Sequence, residues 1–231
     1  MQRVDAPELL DSGSCPPAEI AATLKTLDRI NRWFGGVGVT QRMVERVASR
    51  GQNKRLSLLE VAAGSGAVPE TVRQYLAGRG IELEITLLDR MSSHLPRANG
   101  KCGRLAADGL AMPFRDNAFD IASCNLFAHH LSPPQLCEFV GEAMRISRRA
   151  VVINDLVRHP LHLGIVYASQ PIMSCRTAWL DGLTSVRRSY VPHEMSSMLS
   201  AIIPPSARIE IVRGFLYRMG VIIWKKSEGE N

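Results

Sequence analysis

No hydrophobic run in this sequence reaches the roughly 18 residues that a transmembrane helix needs, so we expect no membrane span. The N-terminus carries Asp5, Glu8 and Asp11 and has no apolar core, so we do not expect a signal peptide. The five cysteines are odd in number and show no CxxC or CxxH spacing, which argues against a disulfide framework or a structural zinc site. We therefore expect a cytoplasmic protein with no metal site.

Dense lysine and arginine tracts are also missing, although the net charge is +6. The excess is uneven, because residues 1–140 hold 16 basic and 15 acidic residues whereas residues 141–231 hold 12 and 7. This distribution permits an anionic small-molecule partner but does not demand nucleic acid. The chain of 231 residues is 45% hydrophobic and 22% charged, which is typical of a globular domain large enough to fold without a disulfide or metal.

The N-terminal part shows helical periodicity. Residues 1–15 have the composition of a loose polar tail. Apolar residues then recur every three or four positions from Pro16 to Phe34, which predicts a helix that ends at the glycine-rich segment 35–38. A second helix is predicted over residues 39–50. Together residues 16–50 form the predicted helical cover.

Short apolar runs then alternate with helical segments, which predicts a parallel sheet with helices on both faces. Strands are predicted at 56–62, 85–88, 105–107, 120–124 and 150–155, and helices at 69–77 and 133–146. Residues 156–203 lose this alternation and are interpreted as a helical insertion or substrate lid. Strands at 208–212 and 215–224, with Gly214 in their turn, predict a closing hairpin within residues 204–231.

These elements predict a single α/β domain over residues 1–231, with residues 56–155 as a cofactor-binding core. The fold is expected to be a Rossmann-like, doubly wound sheet of seven strands. It should be mostly parallel with a C-terminal antiparallel hairpin, N-terminal helices and a helical insertion after the fifth strand.

The strongest motif is a strand that runs into a glycine-rich turn, Glu60-Val-Ala-Ala-Gly64-Ser-Gly66. Glycines let the backbone turn sharply and let a ligand come close. Asp89 ends the next strand, where it can accept hydrogen bonds from a ribose, and Asp108 ends the third, where it can receive an amino group. The alternative is that both acids only cap the following helices.

A dinucleotide ligand is a second alternative. The full G-x-G-x-x-G fingerprint requires a third glycine where Pro69 stands, and about 55 residues precede the turn. Both points favour a nucleoside with a non-phosphate tail.

Residues 27–155 resemble the class I S-adenosylmethionine-dependent methyltransferases. The matching motifs are the turn at 60–66, residues 87–90, residues 106–114 and residues 119–125. The stretch AADGLAMPFRDNAFD is especially similar to small-molecule methyltransferases of the ubiquinone/menaquinone type. Residues 27–34 resemble the helix that covers the cofactor in that family.

The resemblance implies S-adenosylmethionine as cofactor and S-adenosylhomocysteine as product. Gly64 and Gly66 would admit the methionine part above Glu60, Asp89 would bind the ribose, and Asp108 would accept the adenine amino group. The other implied cofactor contacts are Asn31, Arg32, Ala62, Ser65, Arg90, Met91, Gly109, Leu110 and Asn125.

His129 and His130 follow the fourth strand and are the candidate catalytic bases, because an acceptor hydroxyl must lose a proton. The alternative is a helical turn with one histidine packed and the other exposed. The insertion supplies candidate substrate contacts. Among them, Arg187 and the adjacent Arg188 could equally lie on a solvated surface. These candidates are Arg158, His159, His162, Arg187 and Tyr190.

The predicted function is methyl transfer to a small-molecule hydroxyl, phenolic or polyketide-like. The alternatives are C-methylation of a quinone-type ring, a non-catalytic subunit that keeps the cofactor fold, and a nicotinamide oxidoreductase. Nucleic acid is not expected, because Ser123-Cys-Asn-Leu-Phe127 lacks the Asn/Asp-Pro-Pro-aromatic motif that amino-methylating DNA enzymes share. The sequence leaves the oligomeric state open between monomer and homodimer.

Overall fold

Seven strands form one sheet in the computed structural model, which describes residues 1–12, 15–51, 53–96, 102–173 and 175–225. The strands are β1 (Arg55–Val61), β2 (Glu82–Asp89), β3 (Gly103–Ala106), β4 (Phe119–Asn125), β5 (Ser147–Leu156), β6 (Arg208–Arg213) and β7 (Arg218–Trp224). Their order across the sheet is β3-β2-β1-β4-β5-β7-β6. Pairing is parallel as far as β5 and antiparallel at β5–β7 and β7–β6, which confirms the predicted fold class.

Helices pack on the sheet and at one of its edges. They are α1 (Pro17–Trp33), α2 (Gly36–Ser49), α3 (Ala67–Ala77), α4 (Pro133–Ile146), α5 (Pro160–Ala168), α6 (Arg176–Arg188) and α7 (Pro192–Ser200). Short 3-10 turns occupy Leu10–Ser12, Ala128–His130 and Gln170–Ile172. No helix in the described part of the chain has the length and apolar character needed to span a bilayer. Some residues of the predicted segments lie outside the described residues. They are residues 13–14 of the tail, 52 of the turn, 174 of the insertion and 226–231 of the closing segment.

The central strands are apolar throughout because both faces of the sheet are covered. On one face, α4 packs on β4 and β5 and α7 packs on β6, with Phe139 and Met195 fully buried. On the other face, α3 packs on β2 and α2 packs on β5 and β7, with Met43 and Leu76 fully buried. Alternation between strand and helix therefore produces two core layers.

The strand order places a switch point beside β1. The chain passes from β1 to β2 and β3 on one side, and then crosses to β4 on the other side. Val61 at the end of β1 consequently pairs with Leu88 of β2 and with Cys124 of β4. Ligands of open α/β sheets bind at such a point, outside the carboxyl ends of the strands.

The N-terminal segment differs from the expected loose polar tail. Glu8 is only 6% exposed. The backbone amides of Leu9 and Leu10 donate to Asp181 of α6 at 2.7 and 3.0 Å. Arg3 Nε donates to the carbonyl of Arg188 at 2.6 Å. The expectation of a loose tail was wrong, because residues of α6, which are distant in sequence, form hydrogen bonds with this segment.

The closing hairpin has a longer turn than expected. β7 begins at Arg218, not at Phe215, because Leu216 and Tyr217 have φ angles of 49° and 59° that a strand does not adopt. The amide of Gly214 donates to the carbonyl of Arg218 at 2.8 Å and closes the turn.

Candidate active site

A cavity of about 550 Å³ lies at the carboxyl ends of β1, β2 and β4, and α1, α5 and α6 form its other walls. Most of the residues predicted to bind the cofactor line it. These are Asn31, Glu60, Ala62, Gly64, Ser65, Asp89, Arg90, Met91, Asp108, Gly109, Leu110 and Asn125.

The glycine-rich turn after β1 has three residues with positive φ, namely Ala62 at 53°, Gly64 at 50° and Gly66 at 70°. A Cβ on Gly64 would make only an ordinary contact at 3.5 Å, so the backbone there is open to a ligand. A Cβ on Gly66 would lie 2.7 Å from Leu87 Cδ1, and Gly66 does not line the cavity. Its function is therefore to start α3 tightly against β2, which corrects the expectation that it admits the ligand.

Helix α1 covers this turn. Ser65 Oγ donates to Asp28 Oδ1 at 2.7 Å, and burial raises the pKa of Asp28. Leu24 and Asn31 of the same helix also line the cavity. The predicted contact Arg32 does not line it, because this neighbouring position on the helix is exposed.

Asp89 is buried at the end of β2 and already binds the surrounding backbone. Its carboxylate accepts hydrogen bonds from the amides of Gly64 and Met91, both at 2.9 Å. His94 Nδ1 lies 3.5 Å from the same carboxylate. Burial acts to raise the pKa of Asp89, but the hydrogen bonds with His94 and the two amides outweigh it and lower the pKa. The carboxylate is therefore ionised and held in place beside the cavity.

Asp108 lies on the loop after β3 and is exposed toward solvent. Its Oδ1 accepts from the amide of Leu110 at 2.9 Å. Both acids thus accept hydrogen bonds within turns and line the cavity, but neither caps a helix as the alternative interpretation held, because no helix directly follows β2 or β3 among the described residues.

Glu60 has an oxygen without a partner. The residue is 2% exposed, its Oε1 accepts from Asn125 Nδ2 at 2.6 Å, and its Oε2 has no hydrogen bond among the described residues. Burial raises the pKa of Glu60 to about 7. Asn125 is held in turn by Thr40 Oγ1, which donates to its Oδ1 at 2.6 Å. An unpaired carboxylate oxygen at a cavity wall suits a cationic or hydrogen-bond-donating group of a ligand.

The two candidate bases lie together in the 3-10 turn after β4, and both line the cavity. His129 Nδ1 lies 2.7 Å from Asp155 Oδ1, and its Nε2 lies 3.3 Å from Glu8 Oε1. His130 Nδ1 lies 2.7 Å from Asp11 Oδ2. His129 is 2% exposed and His130 is half-buried, so the packed-turn interpretation describes the first of them.

Protonation argues against His129 as the base in this conformation. Burial acts to lower its pKa, but the carboxylates of Asp155 and Glu8 outweigh it and raise the pKa to about 10. An imidazolium has no lone pair to take a proton, so His129 would have to lose this proton before it could act as a base.

One predicted substrate residue reaches the cavity. His162 lines it, and its Nδ1 lies 3.0 Å from the carbonyl of Val157. Burial lowers the pKa of His162, so its imidazole is neutral at physiological pH.

The other four predicted substrate residues do not line the cavity, because each has a partner elsewhere in the fold. Their partners are Glu194 for Arg158, the Tyr217 ring for His159, the Tyr167 hydroxyl for Arg187 and the Leu131 carbonyl for Tyr190.

Residues 59–153 match the family model described as a methyltransferase domain. The matched segment begins in β1 and ends in β5, so it contains the carboxyl ends of β1, β2 and β4 that meet at the cavity. Residues 59–153 therefore match a methyltransferase domain, within a sheet that has the class I methyltransferase fold.

Solved structures similar to the methyltransferase share its fold at low sequence identity. A SAM-dependent methyltransferase from Aquifex aeolicus is 16% identical, with 91% of this chain and 99% of that chain covered and a TM-score of 0.62. The plantazolicin methyltransferase BpumL, bound to a monoazolic desmethylPZN analogue and SAH, is 11% identical, with 90% of each chain covered and a TM-score of 0.70. Human N-acetylserotonin methyltransferase bound to SAM is 12% identical, with 97% and 61% covered and a TM-score of 0.67.

No curated protein sequence matches the methyltransferase. The special similarity to the ubiquinone/menaquinone type therefore stays a prediction.

Sequence analysis missed several cavity residues of the methyltransferase. Glu8 and Asp11 were assigned to the tail, and no local pattern marks them. Arg218 is 3% exposed, its Nη2 donates to Asn31 Oδ1 at 2.8 Å, and its Nη1 has no hydrogen bond among the described residues. A lone arginine in an otherwise apolar strand is a signal that could have identified it. His94 had no comparable signal.

Proposed function

We propose that the methyltransferase transfers the methyl group of S-adenosylmethionine to a hydroxyl oxygen of a small molecule, phenolic or polyketide-like. The observation that carries this proposal is the continuity of one cavity. It runs from Glu60 and Asp89 to the polar turn at His129 and His130, and on to apolar side chains of the insertion such as Val166. A cavity of about 550 Å³ lies within the range of small-molecule sites.

The residues at the strand ends fit the cofactor. Bound S-adenosylmethionine supplies a methyl group activated on a sulfonium. The unpaired Oε2 of Glu60 would accept a hydrogen bond from the amino group of its methionine part. Asp89 would bind the ribose hydroxyls with the remaining lone pairs of its oriented carboxylate, and Asp108 would accept from the adenine amino group.

The insertion and the histidine turn supply the acceptor end. Val166, Met173 and Ala178 give it apolar walls, and Glu8 and His130 give it polar groups. These polar groups would orient the acceptor hydroxyl, and positioning alone is worth about 7–11 kcal/mol. The BpumL structure holds a desmethylPZN analogue together with SAH, which supports room for an organic molecule beside the cofactor on this fold.

The test is transfer of an isotope-labelled methyl group to a panel of phenols and polyketide-like alcohols, with the product analysed by mass and NMR. We expect the label on oxygen. His130→Ala should lower kcat by about 100-fold or more while leaving the Kd for S-adenosylhomocysteine unchanged. The matched control is His193→Ala, an exposed histidine of α7 outside the cavity lining. Label on a ring carbon would favour the quinone-type alternative, and an unchanged kcat in His130→Ala would remove its assigned role.

A further inference from the structure

The methyltransferase has a cluster of two histidines and one glutamate in its cavity that the cofactor does not explain. We call Glu8, His129 and His130 the histidine–glutamate cluster. One ligand atom of each lies within 4.8 Å of the others. Glu8 lies 3.3 Å from His129 Nε2 and 3.7 Å from His130 Nε2. Atoms that each lie about 2.0–2.2 Å from a common metal are separated by about 3–4 Å, so this spacing suits three ligands of one cation.

Each histidine of the cluster has a carboxylate on its other ring nitrogen. Asp155 Oδ1 lies 2.7 Å from His129 Nδ1, and Asp11 Oδ2 lies 2.7 Å from His130 Nδ1. Histidines that bind metals almost always have such a partner, because it fixes the ring orientation and leaves the second nitrogen for the metal. Both Nε2 atoms are consequently left beside Glu8.

His129 Nε2 is buried and faces Glu8 Oε1 at 3.3 Å, as an ion pair without the geometry of a good hydrogen bond. A cation between the two atoms would replace this long contact with two metal–ligand bonds. Glu8 is oriented from behind by Ser185, whose hydroxyl donates to Oε1 at 2.7 Å.

The two neighbouring arginines hold the backbone of the turn. Arg3 Nη2 donates to the carbonyl of His129 at 3.1 Å. Arg188 donates to the carbonyls of His129 and His130 at 3.2 and 2.6 Å. These hydrogen bonds fix the turn, and with it the positions of the two imidazoles beside Glu8.

We propose that the histidine–glutamate cluster binds one divalent first-row transition-metal cation through His129 Nε2, His130 Nε2 and the Glu8 carboxylate. Coordination displaces the proton on His129 Nε2, which passes to solvent water. Two imidazoles and one carboxylate are the ligands of many catalytic zinc sites and of non-haem iron(II) sites. Three protein ligands leave at least one coordination position for a further oxygen. The expectation of no metal site rested on cysteine spacing, which does not detect a cluster whose glutamate lies 121 or more residues from its two histidines in sequence.

The role of the cation rests on the proposed function. The cluster shares its cavity with Gly64 and Asn125 of the proposed cofactor site, so an acceptor hydroxyl oxygen bound to the cation would lie in the same cavity as the cofactor. The cation lowers the pKa of a coordinated hydroxyl, and the proton leaves to solvent water. No free imidazole base is then needed.

The test is a Co²⁺ titration of the full, untagged chain, followed by visible d–d absorption and by displacement with Zn²⁺, without acceptor or cofactor. We expect one equivalent to bind. Glu8→Gln and His130→Ala should weaken binding by more than the roughly 10–100-fold that loss of an outer partner costs, and Asp11→Asn should weaken it within that range. His193→Ala should bind as the wild type does.

Absence of Co²⁺ binding by the folded wild type would overturn the proposal. Binding that both Glu8→Gln and His130→Ala leave unchanged would overturn it too. Circular dichroism establishes that each variant is folded. If His130→Ala unfolds, Co²⁺ binding by Glu8→Gln alone tests the proposal. A parallel titration with S-adenosylhomocysteine keeps the two claims separate, because its failure counts against the methyltransferase site and not against the metal site.

Discussion

At the scale of single residues, the site depends on carboxylates that the fold buries at strand ends. Asp89 and Glu60 are 7% and 2% exposed, but their surroundings shift their pKa values in opposite directions. His94 and two backbone amides keep the pKa of Asp89 low, whereas burial raises the pKa of Glu60, which accepts a hydrogen bond from Asn125, to about 7. The first is a fixed anion, and the second changes charge near neutral pH.

Asp89→Ala should weaken S-adenosylhomocysteine binding by about 1–3 kcal/mol, because the ribose hydroxyls and the amides of Gly64 and Met91 lose their acceptor. Isothermal titration calorimetry measures the effect. Asp116→Ala is the matched control, since Asp116 is exposed and pairs with Arg145 outside the cavity lining. Equal affinity in the two variants would contradict the ribose assignment.

Glu60→Gln should change how the stability of the ligand-free protein depends on pH. The folded-state pKa of about 7 exceeds the usual 4.5, so the folded state binds the proton more tightly and the wild type loses stability as pH rises through this window. Between about pH 5.5 and about pH 8 the wild type should lose about 2 kcal/mol relative to Glu60→Gln. Urea denaturation at both pH values measures it. Parallel pH profiles for the two proteins would show that Glu60 does not titrate in this range.

The positions of the polar residues and glycines of the glycine-rich turn and of the next strand were predictable, because they stand at the ends of predicted strands. Glu60, Gly64 and Asp89 lie where the sequence places them. Leu9 and Asp181 could not be paired from sequence, because the contact joins the N-terminal segment to α6 across a separation that no periodicity encodes. The same limit applies to Arg158, whose partner Glu194 lies in α7.

At the scale of elements, the glycine-rich turn joins β1 to α3 and sets where the helix begins. Gly66 has a φ of 70° and packs against Leu87 of β2. A left-handed backbone and a close neighbour are two separate reasons for a residue without a Cβ.

Gly66→Ala should lower the free energy of unfolding by about 1–3 kcal/mol, because alanine disfavours this φ and its Cβ would lie 2.7 Å from Leu87 Cδ1. Gly141→Ala is the matched control. Gly141 lies inside α4 with nothing within 4 Å of a Cβ, so alanine there should stabilise by up to about 1 kcal/mol. Thermal denaturation compares them, and a Gly66→Ala protein as stable as the wild type would contradict the packing argument.

Element boundaries were predicted best where turn chemistry is explicit. The helix at Pro133–Ile146 was predicted at its observed bounds, because Ser132 precedes two prolines at its start. The start of β7 was placed too early, because the positive φ of Leu216 and Tyr217 has no sequence signature.

At the scale of the whole molecule, the sheet order brings the ends of β1, β2 and β4 to one cavity, and the insertion closes its far side. Alternation of strands and helices predicted this arrangement, because parallel strands joined by right-handed crossovers allow few topologies. The paths of α5 and α6 were not predictable, since the apolar faces of the insertion fit several packings.

The most direct test of the methyltransferase assignment is calorimetric titration of the wild-type protein with S-adenosylmethionine, S-adenosylhomocysteine and NADPH. We expect one equivalent of each of the first two to bind and no heat of binding from the dinucleotide. Binding of NADPH in their place, or no binding of either sulfur compound by the folded protein, would contradict the assignment of this cavity to S-adenosylmethionine.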